Sequence, residues 1–139
     1  MRLTAFTDYG LRMLMRMASA PDQAFSTADL ADEFALSRHH LSKIMQRLAR
    51  AGIIETKRGG GGGARLARPS DQLRLGSLID ILEEDQPIVA CFADKNSSCT
   101  IEAQCRLRTR LRSAERAFIA DLDRSTLADI ALPAALPVA

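Results

Sequence analysis

Five consecutive glycines, Gly59 to Gly63, are the strongest single constraint in this 139-residue chain. Neither a helix interior nor a packed strand tolerates such a run, because glycine surrenders the most backbone freedom and offers no side chain to pack. Ile53 to Lys57 before it and Ala64 to Arg68 after it read as strands, and Pro69 ends the second. The unit is a β-hairpin whose tip accepts positive φ and can approach a surface closely.

The residues before the hairpin are helical in pattern. A first helix is predicted from Thr4 or Thr7 to Ala18, with Phe6, Gly10, Met13, Leu14 and Met17 on one stripe. Arg12 and Arg16 lie off that stripe, and Asp8 stands four residues before Arg12, where it can pair with it. Pro21 and Asp22 end the element. A second helix opens at Ser26 or Thr27, where Ser26 and Asp29 form a variant capping box, and buries Leu30, Ala31 and Phe34. A third starts at the N-cap Ser37, carries Leu41, Ile44, Met45 and Leu48 inward, and stops at Gly52. Only about three residues around Ala35 and Leu36 join the second and third helices, the connection of a helix-turn-helix.

Beyond the hairpin, Leu75, Leu78, Ile79 and Leu82 mark a fourth helix, ended by Glu83 to Asp85 and Pro87. A cysteine loop is expected over 88–105, then a long helix from Arg106 to about Leu122. Its residues Leu107, Leu111, Ala114, Phe118 and Leu122 approximate a coiled-coil seam, with arginines on the exposed side. A short element from Ser125 to Ile130 follows. The tail, 131–139, is expected to be flexible, frayed or docked on a partner subunit. The domain division expected is 1–72 for a DNA-binding unit and 73–130 for the fourth helix, cysteine loop and dimerisation helix. The fold class is mainly α: a winged helix-turn-helix with a two-stranded wing and a long C-terminal dimerisation helix.

Composition narrows the function. An apolar fraction of 47% with 26% charged residues is that of an ordinary globular domain. Aromatics make up 4%, too few for base-stacking platforms on single strands. No stretch has the apolar length of a membrane span, and Asp8, Arg12 and Arg16 break any signal-like start, so a cytoplasmic protein without membrane contact is expected. Net charge is only +2, but residues 1–72 carry 11 Lys/Arg against 7 Asp/Glu, and residues 73–139 carry 8 against 10. Between Leu36 and Arg68 stand eight cations and one anion, Glu55. Such a concentration is either a solvated basic face or the footprint of a phosphate-binding surface.

Three helices and a glycine-tipped hairpin, with the cations on the third helix and the hairpin, favour double-stranded DNA. The third helix would enter the major groove, presenting Ser37, Arg38, His39, His40, Ser42, Lys43 and Arg47. Arg38, His39 and His40, near its start, are candidates for base edges; Lys43, Arg47, Arg50 and Lys57 suit phosphates. Arg58 and Arg65 flank the glycine tip, and one of them can reach the adjacent minor groove. No nucleophile–base pair, paired carboxylates or phosphate loop followed by Lys-Ser or Lys-Thr is present, so an enzyme is not expected.

Cys91, Cys99 and Cys105 fall within fifteen residues. An odd count in a reducing compartment disfavours disulfides and leaves metal binding, a thiol-based peroxide switch or plain packing. Zinc would need a fourth ligand not visible nearby. A small electron-transfer protein would leave the basic span without a purpose.

Taken together, Met-Arg-Leu-Thr at the start, Asp8-Tyr9-Gly10-Leu11-Arg12, Leu48 to Gly52, the wing pattern Arg58-Gly59, Gly62-Gly63 and Leu66, the three cysteines and Thr126-Leu127-Ala128-Asp129 resemble the Rrf family of bacterial winged-helix regulators over roughly residues 1–130. That resemblance implies a homodimeric transcription factor whose cysteines Cys91, Cys99 and Cys105 hold an iron–sulfur cluster that controls DNA affinity. In the IscR-like branch a His three residues after the last Cys is a ligand; Arg108 stands there in this chain. The phrase Phe6 to Arg12 is similar to the NsrR-type, nitric-oxide-sensitive branch. This implies a 4Fe–4S cluster (2Fe–2S being the alternative), Asp8 of the partner subunit as fourth ligand, and a repressor that leaves its operator on cluster nitrosylation. The alternative within the family is an iron-responsive, RirA-like regulator.

Overall fold

The computed structural model describes residues 2–59, 62–93 and 98–133. Helix α1 (Ala5–Ser19) is capped by Thr4, whose hydroxyl accepts the Thr7 amide at 3.2 Å. It buries Gly10, Met13, Leu14 and Met17, the expected stripe, with Phe6 half-buried at its start. Helix α2 (Thr27–Phe34) begins at Ser26, whose hydroxyl accepts the Asp29 amide at 3.0 Å. Ala35 then takes a positive φ of 53°, a conformation that costs a side chain about 1 kcal/mol and turns the chain tightly into the next helix.

Helix α3 (Arg38–Arg50) points Leu41, Ile44, Met45 and Leu48 inward. Ser37 occupies its N-cap as expected, but its hydroxyl makes no capping hydrogen bond. Gly52, at φ 72°, closes the helix just past Ala51. Strands β1 (Ile54–Lys57) and β2 (Gly63–Leu66) pair antiparallel, with Ile54 opposite Leu66 and Lys57 opposite Gly63. The second strand thus starts one residue earlier and ends two earlier than expected. Its other edge meets Phe25, whose amide and carbonyl bond Ala64 at 2.8 and 2.7 Å. Gly63 is required at that contact, since a Cβ there would lie 2.7 Å from the Phe25 carbonyl oxygen. Gly60 and Gly61, part of the expected tip, lie outside the described residues.

After a 3-10 turn at Ser70–Gln72, helix α4 (Leu75–Leu82) packs Leu75, Leu78 and Leu82 into the same core as Met13, Leu14, Leu41, Ile44 and Leu48. The boundary expected at 72/73 therefore runs through one continuous core, which Leu127 also joins. The cysteine loop contains a short helix, α5 (Ala90–Ala93), and a 3-10 turn at Glu102–Gln104. Helix α6 (Arg106–Leu122) has the expected bounds and lies against α4. None of its side chains is buried. A final 3-10 turn, Leu127–Ile130, carries a complete capping box between Thr126 and Asp129. Of the tail expected to fray or to dock on a partner, residues 131–133 are described, and the Leu132 amide donates to the Met15 carbonyl of α1 at 3.3 Å. Residues 134–139 lie outside the described ones.

Candidate nucleic-acid interface and cysteine loop

The inward leucines of α3 leave its other face to solvent. Ser37, Arg38, His39, His40 and Lys43 are exposed there, and Ser42 is half-buried. Gln46 is exposed on the same face, three residues beyond Lys43; sequence reasoning misses it although its spacing is a usable signal, and its amide can pair bidentately with adenine. Lys57 and Arg58 are exposed at the end of β1 and entry to the tip. Arg65 lies within β2 and pairs across the hairpin with Glu55 at 2.7 Å. Both partners are about half-exposed, so the pair holds the arginine with less than about 1 kcal/mol. Helix α3 and the hairpin thus each carry exposed cations on ordered elements.

Arg47 departs from this surface. Its guanidinium turns back toward the end of α4: Nη1 donates to the Leu82 carbonyl at 3.1 Å and Nη2 to the Asp85 carboxylate. The same group stacks 4.8 Å from the Phe6 ring centre. Its side chain is 17% exposed, so the expected phosphate contact would require the guanidinium to leave these partners. The acidic chain end after Leu82 folds back onto α3 and takes the cation that α3 alone would have shown to solvent.

Cys91 sits half-buried on α5, Cys99 is exposed in the turn after it, and Cys105 is half-buried as the N-cap of α6. No disulfide joins them. The Cys105 sulfur accepts the Arg108 amide at 3.4 Å, so the positive end of α6 faces a thiol. Arg108 also pairs with Glu102, and Arg112 lies 3.7 Å over the Phe92 ring, docking α5 on α6. Among the described residues no three Cys, His, Asp or Glu side chains are gathered closely enough to hold a metal ion. The three thiols stand on three separate pieces of backbone. Three sulfurs close in sequence are a donor set that fits thiolate-held iron.

Asp8 lies on α1, paired with Arg12 at 2.8 Å with both side chains about half-exposed. Arg12 also approaches the Tyr9 ring at 5.9 Å. No helix of the described residues is long and apolar enough to cross a membrane.

Comparison with known proteins fits this arrangement. The chain is 40% identical over 131 residues to the HTH-type transcriptional regulator NsrR of Geobacillus kaustophilus (strain HTA426), covering 94% of this chain and 89% of that protein. Its fold is similar to that of CymR (YrzC), the global cysteine regulator of B. subtilis, with a TM-score of 0.71 at 24% identity over 94% of this chain and 96% of the other. T. potens IscR also matches in fold, at a TM-score of 0.71 and 21% identity, over 94% of this chain and 85% of that one. The family profile described as Rrf2, iron-dependent transcriptional regulator, matches residues 3–132. A helix-turn-helix with a basic outer face, a glycine-tipped wing and a sequence match along nearly the whole length together establish that the chain belongs to the Rrf2 family of transcriptional regulators.

Proposed function

We propose that this protein is a homodimeric, cytoplasmic repressor that holds an iron–sulfur cluster on Cys91, Cys99 and Cys105 and leaves its operator when exposed to nitric oxide. The observation that carries the reading is the set of three cysteines within fifteen residues on a chain 40% identical to an NsrR. The cluster is taken to be 4Fe–4S rather than 2Fe–2S, with Asp8 of the partner subunit as fourth ligand. When bound, such a group supplies iron that reacts with nitric oxide.

The chain's own residues set how the two functions meet. Residues 1–72 carry the DNA-reading surface; residues 73–130 carry the cysteines and the dimer contacts. On DNA, Arg38, His39 and His40 face base edges, Lys43, Arg50 and Lys57 hold phosphates, and Ser37 and Ser42 lie on the same DNA-facing helix. Arg58 and Arg65 place the wing in the flanking minor groove. Half-sites then lie a multiple of about 10.5 base pairs apart. Asp8 has a weak resting partner in Arg12, worth less than about 1 kcal/mol at that exposure, so its carboxylate is cheaply released to another ligand. Ile88, Ile101 and Leu107 are 43%, 63% and 63% exposed around the cysteines. That apolar surface at the base of α6 supports a face covered by a second copy.

The test is anaerobic isolation, iron and sulfide counts, and titration of operator binding with nitric oxide, for the parent chain and for Cys91→Ala, Cys99→Ala and Cys105→Ala. Operator release within a few equivalents of nitric oxide per cluster, and loss of colour in each variant, is expected. A colourless parent protein that still binds operator tightly would sink the reading. The iron-dependent description of the family profile favours a second reading, an iron-responsive regulator. Release only on iron chelation, with indifference to nitric oxide, would establish it.

A further inference from the structure

We infer that Arg47 is the positioning residue through which the cysteine loop sets the orientation of the recognition helix α3. The inference rests on the proposed function and concerns how its two halves communicate. Arg47 belongs to α3, yet its guanidinium reaches away from that helix, to the end of α4 and the start of α1. Its Nη1 binds the Leu82 carbonyl at 3.1 Å and its Nη2 the Asp85 carboxylate, 38 residues away in sequence. Asp85 stands three residues before Ile88, where the cysteine loop begins.

The face of the guanidinium lies 4.8 Å from the Phe6 ring, and Phe6 is two residues before Asp8 on α1. The same corner is tied a second time: Glu83 accepts the Thr4 amide at 2.8 Å and the Thr4 hydroxyl at 2.9 Å, fastening the start of α1 to the end of α4. Both segments that lead to proposed cluster ligands thus converge beside one side chain of α3.

Arg47 is also imperfectly satisfied. Its Nε is buried with no hydrogen-bond partner among the described residues. A buried donor left unmade is unfavourable, and a residue selected only for packing would not carry one. An arginine fork there is explained by its reach: it grips a carbonyl and a carboxylate at once, so a displacement of the α4 end is carried to α3 as a rigid connection. Lysine, a compact ammonium on a flexible stem, lacks the rigid planar fork that fixes both contacts in one geometry.

The experiment compares operator affinity of the cluster-loaded and unloaded dimers, using a duplex selected from random sequence, for the parent, Arg47→Lys and Asp85→Asn. Asp85 is 67% exposed, so its amide variant keeps the fold. Coupling between two sites is usually a 5- to 150-fold change in affinity. Both variants are expected to shrink the loaded-to-unloaded ratio at least about threefold toward one, on that scale, while the cluster spectrum stays unchanged. In the unloaded protein, amide hydrogen exchange of the last turn of α3 should quicken in both. A merely structural role would weaken both states by the same factor and leave the ratio intact; that result overturns the inference while the sensor reading stands. A parent protein whose two states bind equally overturns both.

Discussion

Gly76 lies where α4 crosses α6, and a Cβ built on it would stand 2.4 Å from the Ile119 carbonyl oxygen and 2.6 Å from Asp123 Oδ1. Backbone cannot move aside there as a flexible side chain would, so Gly76→Ala should cost about 1–3 kcal/mol, read as a lower urea midpoint at unchanged slope. Asp123 serves the same junction, accepting the Ser77 amide at 3.0 Å and so capping α4 from the end of another helix. Asp80 nearby has its carboxyl raised above the ordinary 3.8, first by burial, then by the charges of Asp123 and Glu115. The folded state then holds this proton more tightly than the unfolded chain, and stability is lost as pH climbs from about 3.8 through the raised value. Asp80→Asn should therefore stabilise at pH 7, by no more than about 0.5 kcal/mol after solvent screening, and change nothing at pH 3. Urea melts at both pH values check the sign. Such residue-level contacts are the least legible part of the sequence. The outward position of Arg47 follows from helical spacing, but its acceptor at Asp85 comes from a distant chain segment that periodicity does not reveal.

At the level of elements, patterning carries much further. The bounds of α4 and α6 follow from their leucine spacing, and the capping serines and threonines mark the starts of α1 and α2, because local hydrogen bonding and one apolar face decide both. Helix α5 is different: four residues have no readable period, and it holds its place through Arg112 stacked over Phe92. The cysteine loop is legible as a set of donors but not as a geometry, since Cys91, Cys99 and Cys105 stand on separate elements. The recognition helix and hairpin allow an element-scale prediction. Lys43→Ala and Arg58→Ala should each weaken binding to all duplexes alike and flatten the log–log salt dependence by about one for every phosphate left without its cation. Gln46→Ala should instead relax preference at one base pair, by about 1–3 kcal/mol of discrimination. Fluorescence anisotropy across a salt series, with matched and single-substituted duplexes, distinguishes the two outcomes.

For the whole molecule, the decisive fact is that no side chain of the seventeen-residue α6 is fully buried within its own chain, although Leu122 packs against the core. Leu107 is 63% exposed, and Leu111 and Phe118 are only half-covered, although their spacing is that of a helix seam. In the proposed dimer, Leu107→Asp should leave the core formed by α1, α3 and α4 intact but yield a single-copy species, seen as a halved mass in sedimentation and a footprint confined to one half-site. The basic span, read from charge density alone, needs no tertiary information, whereas the proposed pairing between copies rests on apolar side chains that only the fold shows to be exposed. In the proposed dimer, pairing through α6 makes folding a matter of mass action. Where two copies melt together, each tenfold dilution withdraws about 1.4 kcal/mol per pair, so the melting temperature must drift downward as the sample thins. In a cell, the copy number of this regulator would then govern how much of it survives heat, quite apart from how much promoter it occupies.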